Sequence, residues 1–146
     1  MSDDGIRGFF GEFRFLSNFW PATVYLDGLP YSTVEHAFQA AKTLMADERE
    51  SIRRLPAHKA GEAKRLGRRV KLRYGWDDMR LTIMRTLVTH KFTRHTHLRA
   101  KLLETGHRYL EETNDWNDRF YGVCDGVGEN HLGRILMEVR TELRKP

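Results

Sequence analysis

Glu35, Gln39 and Lys42 stand at i, i+4 and i+7 in the run Thr33-Val34-Glu35-His36-Ala37-Phe38-Gln39-Ala40-Ala41-Lys42. In a helix turning about 100° per residue they fall within about 60° of one another on a single face. An acid, an amide and an amine in one stripe, interleaved with Ala37, Ala40 and Ala41, supply a general acid/base, an orienting hydrogen-bonding group, and a cation or nucleophile. Desolvation would lower the lysine's proton affinity and leave it more nucleophilic. The same spacing also suits a structural buried pair or a polar surface face, and spacing alone leaves both open.

Three further constellations could do chemistry. In Phe15-Leu16-Ser17-Asn18-Phe19-Trp20-Pro21, Asn18 can both donate to and accept from a base edge or a ribose hydroxyl. Equally, Asn18 could hold a turn while Phe19 and Trp20 fill the core. The glycine-rich stretch Gly122–Gly133, which includes Asn130, leads into the last helix; it could bring backbone N–H groups to a phosphate or be an ordinary loop. It lacks the Gly-Lys-Ser/Thr ending of a P-loop. In Asp115-Trp116-Asn117-Asp118-Arg119-Phe120-Tyr121, with Trp76 upstream, a planar ring could stack on Trp76 or Tyr121. The alternative is core packing with a capping aspartate. No metal site is expected: His90, His95 and His97 lack a second ligand set, there is no His-Glu-x-x-His, and Cys124 stands alone. Neither a Gly-x-Ser-x-Gly elbow nor a catalytic-cysteine signature is present.

The elements that must position these residues follow from periodicity and turn chemistry. Ala22-Thr23-Val24-Tyr25-Leu26 followed by Asp27-Gly28 predicts a strand entering a hairpin turn. Thr33 caps a helix that should run to about Asp47. Helices are also expected over about 48–55, stopping near Pro56, and over 59–66 before Gly67. A long amphipathic helix should open at Asp77 or Asp78 and run to about Phe92, with Leu81, Met84, Leu87, Val88 and Lys91 on one stripe. A helix over 97–103 ends at Gly106. The last helix, about 130–143, should bury Leu132, Ile135, Leu136 and Val139. The result is an α+β chain, predominantly helical, expected to form one compact domain over residues 1–146 with a small N-terminal β-hairpin.

Bulk properties narrow the class. The chain has 146 residues, 40% of them hydrophobic, enough for a real core in one domain. A net charge of +5 favours anionic partners such as phosphorylated small molecules or nucleic acid. Arg53-Arg54, Lys64-Arg65 and Arg68-Arg69-Val70-Lys71 are basic runs that suit a solvated face or a phosphate backbone. No apolar run approaches the roughly 20 residues that cross a bilayer, so no membrane partner is expected. The start Met1-Ser2-Asp3-Asp4 lacks the basic and apolar regions of a signal peptide. The single cysteine excludes an intrachain disulfide framework and fits a cytoplasmic setting.

Taken together, Leu16-Ser17-Asn18-Phe19, Tyr31 through Lys42, Trp76-Asp77, Leu81–Phe92, Asp118–Gly122 and Asn130-His131-Leu132-Gly133-Arg134-Ile135-Leu136-Met137 resemble the NADAR superfamily. Its best-known branch is the YbiA-like N-glycosidases of riboflavin biosynthesis. The resemblance covers roughly residues 7–143, and the Glu-His-x-Phe-Gln-Ala-x-Lys motif is its most specific part. It implies an enzyme without a cofactor that cleaves an N-glycosidic bond at C1 of a ribose phosphate. The substrate would be a phosphorylated ribosyl small molecule, such as an aminopyrimidine ribose phosphate, or an ADP-ribosylated nucleic acid carrying ADP-ribosyl-guanine. By resemblance Glu35, Lys42 and Asp118 carry the chemistry, Asp118 binding or protonating the leaving nitrogen. Asn18, Phe19, Gln39, Trp76, Tyr121, Gly122 and Asn130 bind substrate. The chain departs from the family where Tyr121-Gly122 replaces the usual Trp-Gly, which bears on the ring preferred. The competing readings are a non-catalytic ADP-ribose or nucleotide-binding module and a basic nucleic-acid-binding protein.

Overall fold

Two residues with positive φ, Asp27 at 48° and Gly28 at 83°, close a two-residue hairpin whose turn twist matches that of its strands. In the computed structural model, which describes residues 4–146, the elements run in order. They are β1 (Ile6–Arg7), a 3-10 helix (Gly11–Leu16), β2 (Val24–Leu26), β3 (Leu29–Tyr31), α1 (Val34–Ala41), α2 (Ala46–Arg53), a 3-10 turn (Ala57–Lys59), α3 (Ala60–Gly67), α4 (Trp76–Arg94), α5 (Thr96–Glu104), β4 (Leu110–Glu111) and α6 (His131–Arg144). The chain is mainly helical with few strands, as its sequence predicts. Met1–Asp3, most of the start read for signal-peptide features, lies outside the described residues. Among the described residues, no helix is long and apolar enough to cross a membrane.

The chain divides into two compact units, each with its own framework. The first holds Asn18–Arg94. In it β2 and β3 pair antiparallel with Val24 opposite Tyr31, and α1 packs against α2, α3, α4 and this hairpin. Every residue of α1 is buried, so it is the central helix of the unit rather than an amphipathic surface one. The second holds the N-terminal stretch through Ser17 together with His95–Pro146. There β1 pairs parallel with β4, Ile6 opposite Leu110, and α6 packs on β4 and α5. Leu132, Ile135, Leu136 and Val139 of α6 are buried, as their spacing predicts. The β1–β4 pair is two residues per strand and carries no alternation long enough to read in sequence.

α1 begins where expected and ends earlier. Thr33 is its N-cap, with an extended backbone and a side-chain oxygen accepting the His36 N–H at 3.0 Å. The sequence predicts continuation to about Asp47, yet the helix stops at Ala41. The reason is Thr43. Its hydroxyl donates to Glu48 Oε1 at 2.6 Å and accepts the Met45 N–H, while its carbonyl accepts from Arg49 Nε. These local bonds offer the backbone an alternative to the helical ladder and start α2 as a separate element. On α4, Met84, Leu87, Val88 and Lys91 are buried, whereas Leu81, placed on the same stripe, is 37% exposed.

Lys91 is 1% exposed, and burial pushes its ammonium down from 10.5 to about 7. Below that value the lysine is protonated in both folded and unfolded chains, so the folded state bears the full desolvation penalty. Between about 7 and 10.5 the folded chain releases this proton while the unfolded chain keeps it, so stability rises with pH. The urea unfolding free energy of Lys91→Met is therefore expected to lack the part of this rise that the unsubstituted chain shows between about pH 7 and 10. Identical pH slopes for the two proteins would exclude Lys91 as its source.

Candidate functional site

Within the first unit, the short cap of α1 sets the direction of Glu35. Glu35 is the second helical residue, its N–H donates to the Asn18 carbonyl at 3.1 Å, and it sits in the first turn, where the helix dipole favours negative charge. One turn on, Gln39 Nε2 donates to Glu35 Oε1 at 2.8 Å. A carboxylate only accepts, so this bond orients the amide with its NH2 toward Glu35 and its oxygen away. Glu35 is 7% exposed and Gln39 is 4% exposed. Lys42 follows as the C-cap. Burial lowers its proton affinity most; the Glu35 charge opposes that, and Arg68, Lys64 and Arg80 reinforce it. Glu35 and Gln39 thus meet one turn apart, as their spacing predicts, and the Glu35 charge acts on Lys42 at the helix end.

α3 and α4 wall this face. On α3, Gly67 lies against the Gln39 side chain: a Cβ there would overlap Gln39 Oε1 and lie 2.7 Å from its Cδ. On α4, Trp76, Arg80 and Met84 are spaced i, i+4, i+8 on one face. Trp76 packs on Phe38 at a centroid distance of 5.3 Å, and Met84 Sδ accepts from Asn18 Nδ2 at 3.4 Å. Asn18 is thus held at both its amide and its carbonyl. Trp76 is 5% exposed, so its ring is a wall of the unit more than an open stacking surface, whereas Phe19 is 44% exposed. His36 is fully buried. Thr33 Oγ1 accepts the His36 N–H and lies within hydrogen-bond distance, 2.7 Å, of His36 Nδ1. Burial holds the imidazole below its ordinary value.

The remaining predicted residues belong to the second unit and order its loop. Asp118 Oδ1 accepts the N–H groups of Phe120 and Tyr121 at 3.1 and 3.0 Å, the capping geometry of an Asx turn. Asn130 is left-handed at φ 53° and bridges backbone: its Oδ1 accepts the Glu112 N–H and its Nδ2 donates to the Leu110 carbonyl. A Cβ on Gly122 would overlap the Glu112 carbonyl. Tyr121 stands edge-to-face on Phe120 at 4.8 Å. For Asp118 and Asn130 the geometry is that of backbone organisers. In the sequence Arg80 carries no motif signal beyond its i+4 spacing from Trp76, and Lys64 and Arg68 belong to basic runs that suit a solvated face or a phosphate backbone.

This fold, with its motif helix and glycine-rich loop, is that of an N-glycosidase family. The NADAR domain model matches residues 8–144, and the chain belongs to that family. It is 39% identical over 137 residues to N-glycosidase YbiA of Escherichia coli, covering 92% of this chain and 82% of that protein. An N-glycosidase of Nostoc punctiforme is 39% identical over 88% of this chain and 84% of its own length. A riboflavin biosynthesis protein of Vibrio vulnificus is 40% identical over 90% of this chain, which spans only 36% of that longer protein. The NMR structure of E. coli YbiA superposes with a TM-score of 0.83 at 36% identity, over 98% of this chain and 87% of that one. The chain is accordingly a hydrolase acting on N-glycosyl compounds.

Because the bare Cα of Gly67 lies against the Gln39 amide, Gly67→Ala should displace that amide from Glu35. Overpacking of this kind costs about 1–3 kcal/mol. Urea unfolding is expected to show that loss together with reduced turnover, while full retention of both would show that Gln39 has room to move.

Proposed function

We propose that the chain hydrolyses the C1–N bond of a ribosylated substrate carrying a phosphate, with Glu35 and Lys42 as the reacting groups. The observation that carries this reading is the 2.8 Å bond from Gln39 to Glu35, which fixes a buried carboxylate within electrostatic reach of an amine whose charged form burial disfavours. Breaking a glycosidic bond builds positive charge at C1 and the ring oxygen, and a preorganised carboxylate stabilises it. Two routes use the same pair. In direct hydrolysis Glu35 takes a proton from water as the water oxygen bonds to C1. The C1–N electron pair leaves with the nitrogen, which ends with the proton. In the covalent route the neutral Lys42 Nζ bonds to C1 as the C1–N electron pair leaves with the nitrogen, which takes one Nζ proton; the ring C1–O bond then breaks to leave an imine, the ring oxygen taking the other proton. Water then releases the sugar and restores the amine.

Asn18, Phe19 and Gln39 are assigned to holding the sugar or base, and Trp76 to walling that space. Asp118, Tyr121, Gly122 and Asn130 are assigned to shaping their own loop, and no proton transfer is routed through Asp118. One relative is named a riboflavin biosynthesis protein and another an N-glycosidase, which supports a substrate from riboflavin biosynthesis, with an aminopyrimidine ribose phosphate as the form proposed. Mass spectrometry of products from such a substrate, run beside DNA carrying ADP-ribosyl-guanine, separates the two branches: release of ribose 5-phosphate supports the first, release of ADP-ribose the second.

General acid–base assistance is worth about 10²–10⁴ in rate, so folded Glu35→Gln is expected to lose at least about a hundredfold in kcat. Near-normal turnover would remove Glu35 from the chemistry. For Lys42, borohydride added during turnover should leave a sugar adduct on this residue, and the adduct should be absent from Lys42→Arg. An active enzyme that traps nothing would select direct hydrolysis, with Lys42 acting through its charge.

A further inference from the structure

We infer that Met84 of α4 is a positioning residue that sets which sugar the site accepts. Its thioether turns the Asn18 amide so that Oδ1 accepts a hydrogen bond from the hydroxyl on C2, which selects ribosyl over 2-deoxyribosyl substrates. The inference rests on the proposed C1–N hydrolysis at Glu35 and names the group by which that site tells two sugars apart.

Among the described residues Asn18, Asn114 and Asn130 are buried asparagines, and they are satisfied differently. Asn114 and Asn130 have both ends of the amide bonded to backbone. Asn114 Nδ2 donates to the Asp118 carbonyl at 2.8 Å, and its Oδ1 accepts the Asp118 N–H at 3.0 Å. Asn130 joins the Leu110 carbonyl and the Glu112 N–H in the same way. Asn18 is 8% exposed, as Asn114 is, yet among the described residues its side chain makes one hydrogen bond, from Nδ2 to Met84 Sδ at 3.4 Å. A thioether accepts weakly and donates nothing, so it takes the NH2 and turns Oδ1 away. The amide oxygen is left for a donor from outside the chain. An acceptor kept in so buried a residue without a partner costs free energy that a small apolar side chain would not.

Two contacts fix where that oxygen stands. The Asn18 carbonyl accepts the Glu35 N–H at 3.1 Å, so the residue lies against the turn of α1 that carries the carboxylate. Met84 is itself 2% exposed and stands about two turns along α4 from Trp76, which packs on Phe38 of α1. Sulfur, amide and carboxylate are thereby linked within one unit. With C1 at Glu35, the hydroxyl nearest the reacting bond is the one on C2. When that hydroxyl donates to Oδ1, electron density on its oxygen rises as positive charge grows at C1, so the bond strengthens in the transition state. A 2-deoxyribosyl substrate makes no such bond and leaves Oδ1 unpaired.

The test measures kcat/KM on a ribosyl N-glycoside phosphate and on its 2-deoxy analogue. Their ratio is compared between variants, so the different intrinsic reactivities of the two sugars cancel. Met84→Leu keeps the volume and removes the acceptor; it is expected to lower the ribosyl-to-deoxyribosyl ratio by about fivefold or more, and Asn18→Ala by about tenfold or more. Because Met84 acts through Asn18, the double variant should match Asn18→Ala alone. Met84→Gln, whose Oε1 can accept from Nδ2, should recover part of the ratio. Norleucine in place of methionine exchanges only sulfur for methylene and gives the same readout where Met84→Leu fails to fold. A ratio unchanged in Met84→Leu, with both substrates slowed alike, would make Met84 a packing residue and overturn the inference. So would a double variant whose loss is the product of the two single losses. Calorimetric binding of ribose 5-phosphate and 2-deoxyribose 5-phosphate to the full chain separates this inference from the reading it rests on. A preference for ribose 5-phosphate that both variants abolish, without C1–N cleavage by the unsubstituted chain, would sustain the amide contact and remove the hydrolase assignment of the site. Cleavage with no preference between the two sugars would keep the hydrolase and overturn the contact.

Discussion

Everything around α1 answers one requirement: a carboxylate and an amide buried on the same face must be satisfied without water. Glu35 and Gln39 meet it in part between themselves, while the Gln39 Oε1 stays buried without a hydrogen-bond partner. Gln39 donates to Glu35, Asn18 accepts from the Glu35 backbone, and the helix N-terminus favours the charge. An eight-residue helix buried on every side leaves no exposed face to which these groups could turn. Its small residues, Ala37, Ala40 and Ala41, let neighbouring helices close on it, and Gly67 allows α3 to reach the amide itself. An apolar pair would pack there at less cost, since burying a charge is expensive unless its partners are well placed.

Electrostatics then separates the roles of like residues. Glu35 is held by one oriented amide and a helix dipole, whereas Asp118 is held by two backbone N–H groups of its own loop. Both are carboxylates near aromatics in sequence, yet it is Glu35 whose charge acts on Lys42, an amine whose proton affinity burial lowers. Lys42 and Lys91 illustrate the same point for cations. Lys42 lies among charges of both signs, while Lys91 is depressed by burial alone and bears on stability.

How far the fold could be read from the chain depended on whether a residue acts locally. The Asp27-Gly28 turn, the Thr33 cap and the apolar spacing of α6 act within a few positions, and each element formed where it was expected. The end of α1 did not, because Thr43 engages Glu48 and Arg49 in bonds that no helix-period pattern displays. The β1–β4 pair joins residues about a hundred positions apart with two residues per strand, too few for an alternation to be seen.

The sequence by itself determined the stripe, its caps and the family motif, because helical spacing and capping chemistry are local properties of the backbone. Only the tertiary structure decided which charges act on Lys42, that Trp76 lies against Phe38, and that Asn130 ties Glu112 to Leu110. Those relations depend on which helix faces meet, and that is set by a glycine's missing Cβ and by packing across distant segments rather than by spacing along the chain.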